Sequence, residues 1–587
     1  MNIDLARIWR DDCLQNHSVC KLGSPVNAPL PTRLLDVTNP DSPFLTETET
    51  FPSKIPYIAL SYCWGPGKKF VTLQNNLDVH RRGIPSASLP LTFRDAIWVT
   101  KALGCQYIWI DALCVVQDDM TDMHREFSQM GNVYRHAELT VAAQGASSSH
   151  AGLFSKEMSE TSPLALYPCT VQLTVITDDF EVSRQVTLAG TNNSTDHLAG
   201  RGWVLQEEVL SSRALVITSG QIGWECMQSS ARETSPILQM RKIPLAFKTD
   251  AEAEKAVLGP NRPKSLGNVE AMRMRLYTPE KMMAATDSIL STRRRSNHFD
   301  AWYGTVETYS DKLLTNEVDT LRALTELKDG FVEGYGTTYL AGLWKEDLIN
   351  GLGWYVGVND ARNVWSEEKR LRAAPSWSWA SVGKVRIRFV PRLASEKPQT
   401  QILDAFCDPD DPIKNAGSGR MGGEWSMRLL GPLKKALLRC DASYSKWRIN
   451  VRTYGGAATA EEKAKFGAVK TVPGVHPRFP ALLIEPENPD NPTVLGEAVL
   501  DSSSFPSLLM TPDGRLPEAV IEVFCMPLRH HSAGLRDGGQ SGHIMCLLLL
   551  PHRADSCSYL RIGLGFLQIA DWFSSTNSEE DVDCEVI

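Results

Sequence analysis

The chain has 587 residues, of which 42% are hydrophobic and 22% are charged, and its formal net charge at pH 7 is -8. One hydrophobic core does not support this length, so several domains are expected. The acidic balance argues against broad attraction to nucleic acid or to an acidic membrane. No apolar run reaches the roughly 20 residues that a membrane-spanning helix needs. We therefore expect no nucleic-acid partner and no membrane span.

The amino-terminal stretch MNIDLARIWR lacks the apolar centre of a secretion signal. The 13 cysteines are an odd number, scattered without a tight framework, and many of them lie in apolar runs. This usage is typical of reduced thiols in an intracellular protein. The sequence therefore predicts a soluble protein of the cytoplasm.

Strand and helix patterns alternate through the first part of the chain. Apolar runs typical of strands occur at 30–40, 55–63, 105–111 and 139–143, and helical spacing occurs at 90–104 and 121–136. This alternation predicts a mainly parallel sheet covered by helices. The strands YIALSY, YIWID and LTVAA should be neighbours in that sheet.

The remaining patterns divide the chain into four predicted segments. A helix at 201–212 and the strands ALVIT and IGWEC complete the α/β region, and residues 244–266 resemble a linker. Beyond Pro375 the pattern turns to strands, with Trp377 and Trp379 expected on one strand face, and the acidic end NSEEDVDCEVI is expected to be mobile. The predicted segments are an amino-terminal lead-in (1–54), an α/β domain (55–228), a mainly helical region (229–372) and a carboxyl-terminal β-rich region with an acidic tail (373–587).

Three long motifs occur in order within the α/β region. They are YIALSYCWG, LPLTFRDAIWVTKALGCQYIWIDALCVVQDDMTDMHREFSQMGNVYRHAELTVAA and RGWVLQEEVLSSRALVI. Together they resemble the HET domain, the heterokaryon-incompatibility domain of filamentous fungi. The flanking stretches DCLQNHSVC, YLAGLWKEDLINGLGWY and APSWSWASV are similar to full-length members of that family. The resemblance implies an effector in fungal self/non-self recognition and regulated cell death.

The HET domain is itself remotely similar to TIR domains, some of which hydrolyse NAD. A TIR-like sheet would place its site in the loops at the carboxyl ends of its parallel strands. Here those loops are SYCWG and DALCVVQDD. The residues that would line a crevice for the substrate are Ser61, Tyr62, Trp64, Gly65, Asp111 and Gln117. Trp64, Asp111 and Gln117 have a purely structural alternative, as a plug for the sheet end or as ties for the loop.

Glu126 is the catalytic candidate that the TIR resemblance implies, because NAD-cleaving TIR domains carry their glutamate on a helix after a central strand. The predicted buried stripe of that helix is Met123, Phe127, Met130, Tyr134 and Ala137. Glu126 would lie at one side of the stripe. A single carboxylate suffices for NAD, because nicotinamide leaves as a neutral molecule and needs no proton. The alternative for Glu126 is a surface ion pair with an arginine.

RGWVLQEEVLSSR carries a second group of candidates. Arg201, Gln206 and Glu207 lie on or beside one helix. They could bind a phosphate of a nucleotide, or Arg201 and Glu207 could form a buried ion pair that holds the domain together.

Cys13, His17 and Cys20 are spaced to share one face of a helix. Three such ligands need a fourth to hold zinc, and no second Cys/His pair of matching spacing is visible. We therefore predict no metal and no cofactor, with NAD entering only as a substrate.

A non-enzymatic mode of action is the alternative to NAD hydrolysis. No P-loop, repeat array or pore-forming helix accompanies the predicted HET domain. The domain could instead signal by self-association or by binding a partner incompatibility protein.

Overall fold

The structure is a computed structural model. It describes residues 2–17, 20, 29–51, 55–67, 69–154, 169–176, 181–188, 196–198, 200–240, 272–273, 276, 298–312, 314, 320–356, 374–383, 385–390, 398–407, 425–440, 480–484, 494–501, 520–532, 542–551, 558–567 and 581–586. The chain forms two compact units. The first comprises Met1–Ile289 and Leu324–Gly334, and the second comprises Leu290–Ala323 and Tyr335–Ile587. The division of the chain into the four predicted segments, with their boundaries, remains a prediction.

The first unit contains seven helices in the described part of residues 1–289. They are α1 (Ile3–Asn16), α2 (Leu77–Arg82), α3 (Leu91–Ala102), α4 (Asp111–Cys114), α5 (Met120–Ser128), α6 (Met130–His136) and α7 (Gly202–Leu210).

Eleven strands accompany these helices in the described residues of the first unit. They are β1 (Arg33–Asp36), β2 (Phe44–Glu47), β3 (Tyr57–Ser61), β4 (Tyr107–Trp109), β5 (Leu139–Ala142), β6 (Cys169–Ile176), β7 (Glu181–Leu188), β8 (Arg213–Ile217), β9 (Ile222–Cys226), β10 (Ser229–Arg232) and β11 (Ser235–Met240). β6 and β7 form a separate antiparallel pair.

The other nine strands form one sheet in the order β11-β10-β9-β8-β5-β3-β4-β1-β2. Its centre is parallel, because β3 pairs in parallel with both β4 and β5, and β5 pairs in parallel with β8. The flanking strands β9–β11 and β1–β2 run antiparallel to their neighbours. The prediction of a mainly parallel sheet within 55–228 is confirmed, as is the adjacency of YIALSY, YIWID and LTVAA. The lead-in segment also contributes β1 and β2 to this sheet.

Burial on both faces explains the sequences of the central strands. Every residue of β3 is buried, from Tyr57 to Ser61. Strands covered on both faces read as continuous apolar runs rather than as alternating patterns. The helix α3 buries Phe93, Ala96 and Ile97 along one side, which is the spacing that predicted it.

The predicted helix at 121–136 is wrong as a single element. It is broken at Gln129, between α5 and α6. Met130, Tyr134 and Ala137 are buried as predicted, but Phe127 is 41% exposed. α5 turns its acidic side inward instead, because a buried arginine on β1 binds there.

The second unit contains the helices α8 (His298–Ser310) and α10 (Leu348–Gly351), and most of α9 (Thr325–Tyr335) belongs to the first unit. Its short strands are β12 (Tyr339–Leu340), β13 (Leu343–Trp344), β14 (Trp354–Val356) and β15 (Ile387–Phe389). Its remaining strands are β16 (Gln401–Cys407), β17 (Trp425–Gly431), β18 (Lys434–Cys440), β19 (Pro480–Ile484), β20 (Val494–Leu500), β21 (Val520–Ser532), β22 (Gly542–Pro551), β23 (Ser558–Leu567) and β24 (Val582–Val586).

These last nine strands form one sheet, in the order β16-β17-β24-β23-β20-β19-β18-β21-β22, with a further pairing of β22 to β23. The predicted β-rich carboxyl-terminal region is confirmed. The described part of the acidic end is not mobile but forms β24, which pairs with β17 and β23. Cys584 and Val586 are fully buried, so a two-residue alternation is present at the end of this acidic stretch.

Trp377 and Trp379 are both buried, as predicted, but neither lies in a strand. Trp379 begins a 3₁₀ helix, Trp379–Val382. Its Nε1 donates to the carbonyl oxygen of Gly342 at 3.0 Å.

The predicted linker at 244–266 lies outside the described residues. In the part of the chain that the structure describes, no helix has both the length and the apolar character needed to cross a membrane.

Candidate active site

The carboxyl ends of β3 and β4 bring Trp64 and Asp111 together. Ala59 on β3 and Trp109 on β4 are register partners in a parallel pair, so the residues that follow both strands emerge at the same edge of the sheet. Trp64 Nε1 donates to Asp111 Oδ2 at 2.7 Å. Both side chains are half-buried. Burial raises the pKa of the Asp111 carboxyl, and hydrogen bonds from Trp64 and Tyr62 oppose that shift.

Glu207, on α7, is a second carboxyl group at this edge. The residue is only 5% exposed. Burial raises the pKa of Glu207 to about 7, against the opposing charge of Arg201 and a hydrogen bond from Ser61. The charge of Asp111 raises it further. Asp111 and Glu207 are therefore close enough for the ionisation of one to affect the other.

Arg201 supplies positive charge to both carboxyl groups. It precedes the first turn of α7, and its Nη1 donates to the carbonyl oxygen of Tyr62. Its charge lowers the pKa of Glu207 and that of Asp111. The pKa values of Asp111 and Glu207 both stay above their ordinary values. One guanidinium therefore only partly offsets the effect of burial on the two acids.

Gln206 and Gln117 behave differently from one another. Gln206 is buried, and its Oε1 has no hydrogen-bond partner among the described residues. A buried acceptor without a partner is uncommon in folded proteins, and a water, an ion or a ligand can satisfy it. Gln117 instead donates from Nε2 to the carbonyl oxygens of Asp111 and Val115, at 3.1 and 3.2 Å. It holds the loop after β4 in place.

Gly65 serves the backbone of this site. Its φ is +70°, and a Cβ placed on it would lie 2.1 Å from Cβ of Ser148. The chain can pass Ser148 only because this residue has no side chain.

Glu126 belongs to a different cluster. It is 3% exposed, and its Oε1 lies 3.2 Å from Arg125 Nε and 3.9 Å from Arg33 Nη2. Arg33, on β1, also forms an ion pair with Asp122 and donates to the carbonyl oxygen of Cys114 at 2.8 Å. Glu126 makes no hydrogen bond or ion pair to Trp64 or Asp111. It is a buried member of an arginine–carboxylate cluster rather than a surface pair.

Tyr134 is a member of the site that sequence reasoning assigned only to the core. Its hydroxyl donates to the carbonyl oxygen of Leu60 at 3.2 Å and also lies within hydrogen-bonding reach of Glu207. The predicted stripe on 121–136 placed it inside the protein. The signal that could have found its polar role is its phenol group, which when buried needs a hydrogen-bond partner.

A second group of ligand-type side chains lies on the opposite flank of the sheet. Cys13, His17, Cys20 and Cys226 are all buried, and their ligand atoms all lie within 4.8 Å of one another. The prediction of no metal rested on the missing fourth ligand. Cys226, a single residue at the end of β9, brings a fourth ligand-type side chain to this group from more than 200 positions away.

The parallel centre, with two carboxyl groups and one guanidinium at its carboxyl edge, defines an α/β domain with a polar site formed by strand-end loops and the start of a helix. Residues 57–207 match the family described as Heterokaryon incompatibility protein (HET), so the chain contains a HET domain. The match lies inside the predicted span 55–228 and includes β3, β4, β5 and most of α7. No curated protein and no solved structure matches the chain.

Proposed function

We propose that this protein is an effector of fungal self/non-self recognition and that its HET domain hydrolyses NAD or a related nucleotide to cause regulated cell death. The family match over 57–207 supports a role in heterokaryon incompatibility. The observation that carries the enzymatic proposal is the pair of carboxyl groups, Asp111 and Glu207, with raised pKa values beside Arg201. Perturbed acids at the carboxyl edge of a parallel sheet are typical of active sites.

The two carboxyl groups suit the two halves of N-glycoside hydrolysis. In NAD the bond between ribose C1′ and the nicotinamide nitrogen breaks, and its electron pair neutralises the pyridinium. Asp111, the less buried group, would as an anion stabilise the positive charge that develops on the sugar. Glu207, with a pKa near 7, can take a proton from the water whose oxygen then bonds to C1′. The products are nicotinamide, the ADP-ribose half and one proton.

Other residues at this edge would position the nucleotide. The Trp64 ring is fixed through its Nε1 by Asp111, and its face offers a stacking surface for a base or for nicotinamide. Gln206 Oε1 could accept a hydrogen bond from a ribose hydroxyl, which would satisfy an atom that has no partner among the described residues. Arg201 would balance the phosphates. Ser61 and Tyr62 contribute hydrogen bonds to Glu207 and Asp111, and Gly65 and Gln117 hold the loops.

The test is incubation of the purified full-length protein with NAD, with release of nicotinamide as the readout. Asp111→Asn and Glu207→Gln should each lower the rate roughly a hundred- to a thousandfold, the usual effect of removing an electrostatic catalytic group. Thermal unfolding should show that both variants are folded. Unchanged nicotinamide release by a folded Glu207→Gln protein would overturn the assignment of Glu207.

Glu126→Gln separates this assignment from the TIR-like one. If Glu126 were the catalytic carboxylate, its amide variant would lose nicotinamide release and would no longer kill a fungal host that the unmodified protein kills. The contacts of Glu126 with Arg33 and Arg125 lead us to expect reduced stability with the activity retained. A protein that never consumes NAD in any oligomeric state would remove both assignments.

One observation favours the non-enzymatic alternative. Met120 and Phe127 on α5 are 65% and 41% exposed. They are seven positions apart, so they share one face of the helix. The Phe127 ring lies 6.3 Å from that of Trp203. An apolar surface of this kind can serve self-association or partner binding. Light scattering at several protein concentrations, on the unmodified protein and on the double variant Met120→Ser/Phe127→Ser, tests whether this surface drives self-association. If the protein signals by assembly, the double variant should lose both association and killing. Any NAD cleavage should be retained.

A further inference from the structure

The buried quartet Cys13, His17, Cys20 and Cys226 brings the amino-terminal helix α1 together with the end of β9. Cys13 lies in the last turn of α1, His17 is the residue that ends the helix, and Cys226 ends β9. Cys13, Cys20 and Cys226 are each 0% exposed and His17 is 3% exposed. α1 packs against β9, and Trp9 Nε1 donates to the carbonyl oxygen of Pro236 at 2.9 Å.

The spacing of the four ligand atoms is close to that of a tetrahedral zinc centre. With Zn–S near 2.3 Å and Zn–N near 2.0–2.1 Å, tetrahedral ligand atoms lie about 3.6–3.8 Å apart. His17 Nδ1 lies 3.4 Å from Cys226 Sγ and 4.0 Å from Cys20 Sγ. All other separations within the quartet are at most 4.8 Å. Small rotations of the side chains would therefore complete the geometry.

The surroundings of His17 select the nitrogen that would bind. Its Nε2 lies 3.4 Å from Asp12 Oδ2, close enough for the Nε2–H to donate a hydrogen bond to that carboxylate. This leaves the lone pair of Nδ1 directed at the sulfur atoms. A carboxylate on the far nitrogen is the usual support of a zinc-binding histidine.

The sulfur atoms are surrounded by hydrogen-bond donors, as thiolates would require. Arg213 Nε donates to Cys13 Sγ at 3.2 Å, and the backbone N–H of Ser229 donates to Cys226 Sγ at 3.2 Å. Both donors are buried. Bonds of this kind stabilise metal-bound thiolates.

The charge of Arg213 also needs an anion nearby. The residue is 3% exposed, and among the described residues it has no carboxylate partner. Its other acceptors are the carbonyl oxygens of Cys20 and Glu138 and the hydroxyl of Ser212. A buried cation without a counter-charge is strongly unfavourable. Three thiolates and one divalent ion carry one net negative charge, which would balance this guanidinium.

We infer that Cys13, His17, Cys20 and Cys226 form a structural zinc site that fastens α1 and the residues after it to the β9 edge of the sheet. Four protein ligands leave no open position for a substrate, so the ion would contribute stability and not catalysis. A disulfide would join only two of the three thiols. It would leave the third thiol, and the pairing of Asp12 with His17, without a role.

The test is the metal content of the purified full-length protein by elemental mass spectrometry. We expect about one zinc per chain, and less than about a tenth of that in Cys226→Ser and Cys20→Ser, because loss of one ligand of four weakens a structural site severely. Cys105→Ser is the matched control, since Cys105 is a buried thiol of the same unit outside the quartet, and it should keep its zinc. Zinc content that Cys226→Ser leaves unchanged would overturn the site.

A second measurement uses the unmodified protein, so it does not depend on whether the variants fold. In the unmodified protein, alkylation read by peptide mass spectrometry should find Cys13, Cys20 and Cys226 protected until a chelator is added, and then modified together. Co²⁺ exchanged into the chelated protein should give the absorption of a tetrahedral thiolate complex. A reduced protein that retains neither Zn²⁺ nor Co²⁺, or a disulfide between two of these cysteines in freshly purified protein, would contradict the inference.

Discussion

The two acids of the candidate active site show how environment alone differentiates similar side chains. Asp111 is half-buried and held by Trp64 Nε1, whereas Glu207 is enclosed and has a pKa of about 7. A pair of acids in unequal surroundings can divide the roles of anion and base. In the proposed mechanism, the difference in exposure between Asp111 and Glu207 would assign these two roles.

The raised pKa of Glu207 makes folding stability depend on pH. The folded chain holds this proton more tightly than an exposed glutamate with its ordinary value of 4.5. Protonated Glu207 therefore contributes on the order of 3 kcal/mol to the free energy of unfolding. This contribution is complete below about pH 4.5 and is lost as the pH rises through about 7. Glu207→Gln should remove this part of the pH dependence.

Urea unfolding at several pH values in that interval measures the effect. Glu49→Gln, at an exposed position, is the control and should keep the full dependence. An unchanged slope in Glu207→Gln would show that Glu207 does not titrate with a raised pKa.

Gly65 provides a residue-scale test of the backbone at the site. Gly65→Ala would place a methyl group against Ser148 at a positive φ, and we expect a loss of about 2 kcal/mol or more. Gly67 also has a positive φ, but no atom lies within 4 Å of its missing Cβ. Gly67→Ala should therefore cost only the backbone strain, about 1 kcal/mol. Equal losses in thermal unfolding would refute the steric explanation.

At the scale of elements, α5 departs most from its sequence pattern. Apolar spacing predicted that Met123 and Phe127 would face the core, but Asp122 and Glu126 are the buried residues of α5. The reason is Arg33, which lies on β1 and contributes a buried guanidinium. Periodicity within one helix cannot reveal a charge on a strand almost 90 residues earlier.

Removing Arg33 tests whether this cluster fixes α5. Arg33→Leu would leave Asp122 buried without its buried partner and would remove one of the two guanidinium groups beside Glu126. Loss of the partner of a buried charge typically costs about 3–5 kcal/mol. Arg81 pairs with Glu47 and Asp78 at the surface, so Arg81→Ala should cost less than about 1 kcal/mol. Denaturant unfolding compares the two. Similar losses of unfolding free energy in the two variants would mean that the Arg33 cluster stabilises the protein no more than a surface ion pair does.

The strands and the mouth of the site were predictable, and the depth of the site was not. Uninterrupted apolar runs identified β3, β4 and β5, and parallel pairing then placed Trp64 and Asp111 at one edge. The burial of Glu207 and the meeting of Cys226 with Cys13 depend on contacts between residues far apart in the sequence, more than 200 positions apart for the two cysteines. One sequence carries no signal for such distant pairings.

At the scale of the whole molecule, the second unit is held by its own buried ion pair. Arg561 Nε lies 3.0 Å from Asp501 Oδ2, with both side chains fully buried. The same guanidinium donates to the carbonyl oxygens of Leu352 and Trp354 and stacks 3.6 Å from the centroid of the Trp354 ring. Three segments distant in sequence thus meet at one side chain.

Arg561→Met should destabilise this unit by about 3–5 kcal/mol, because Asp501 would remain buried and unpaired. The double variant Arg561→Met/Asp501→Leu should regain part of that loss, since no charge is then left inside. Arg428→Ala, which breaks an exposed pair with Asp583, is the control and should leave the unfolding midpoint unchanged. A double variant less stable than Arg561→Met would contradict the unpaired-charge explanation.

The path of the chain between the units has a consequence for biosynthesis. The first unit is not continuous, because Leu324–Gly334 returns to it after the chain has entered the second unit. Within the first unit, Glu326 packs so closely on Gly131 that a Cβ on Gly131 would lie 2.3 Å from Glu326 Cγ, and Leu327 and Phe331 are fully buried.

A nascent chain on the ribosome therefore cannot close this core when the HET region emerges. Closure must wait until residue 334 has left the ribosome. A prematurely terminated product that ends after the HET region would lack this segment and would be recognised by chaperones and proteases as unfinished. For a protein proposed to kill its own cell, such a delay would keep incomplete copies harmless.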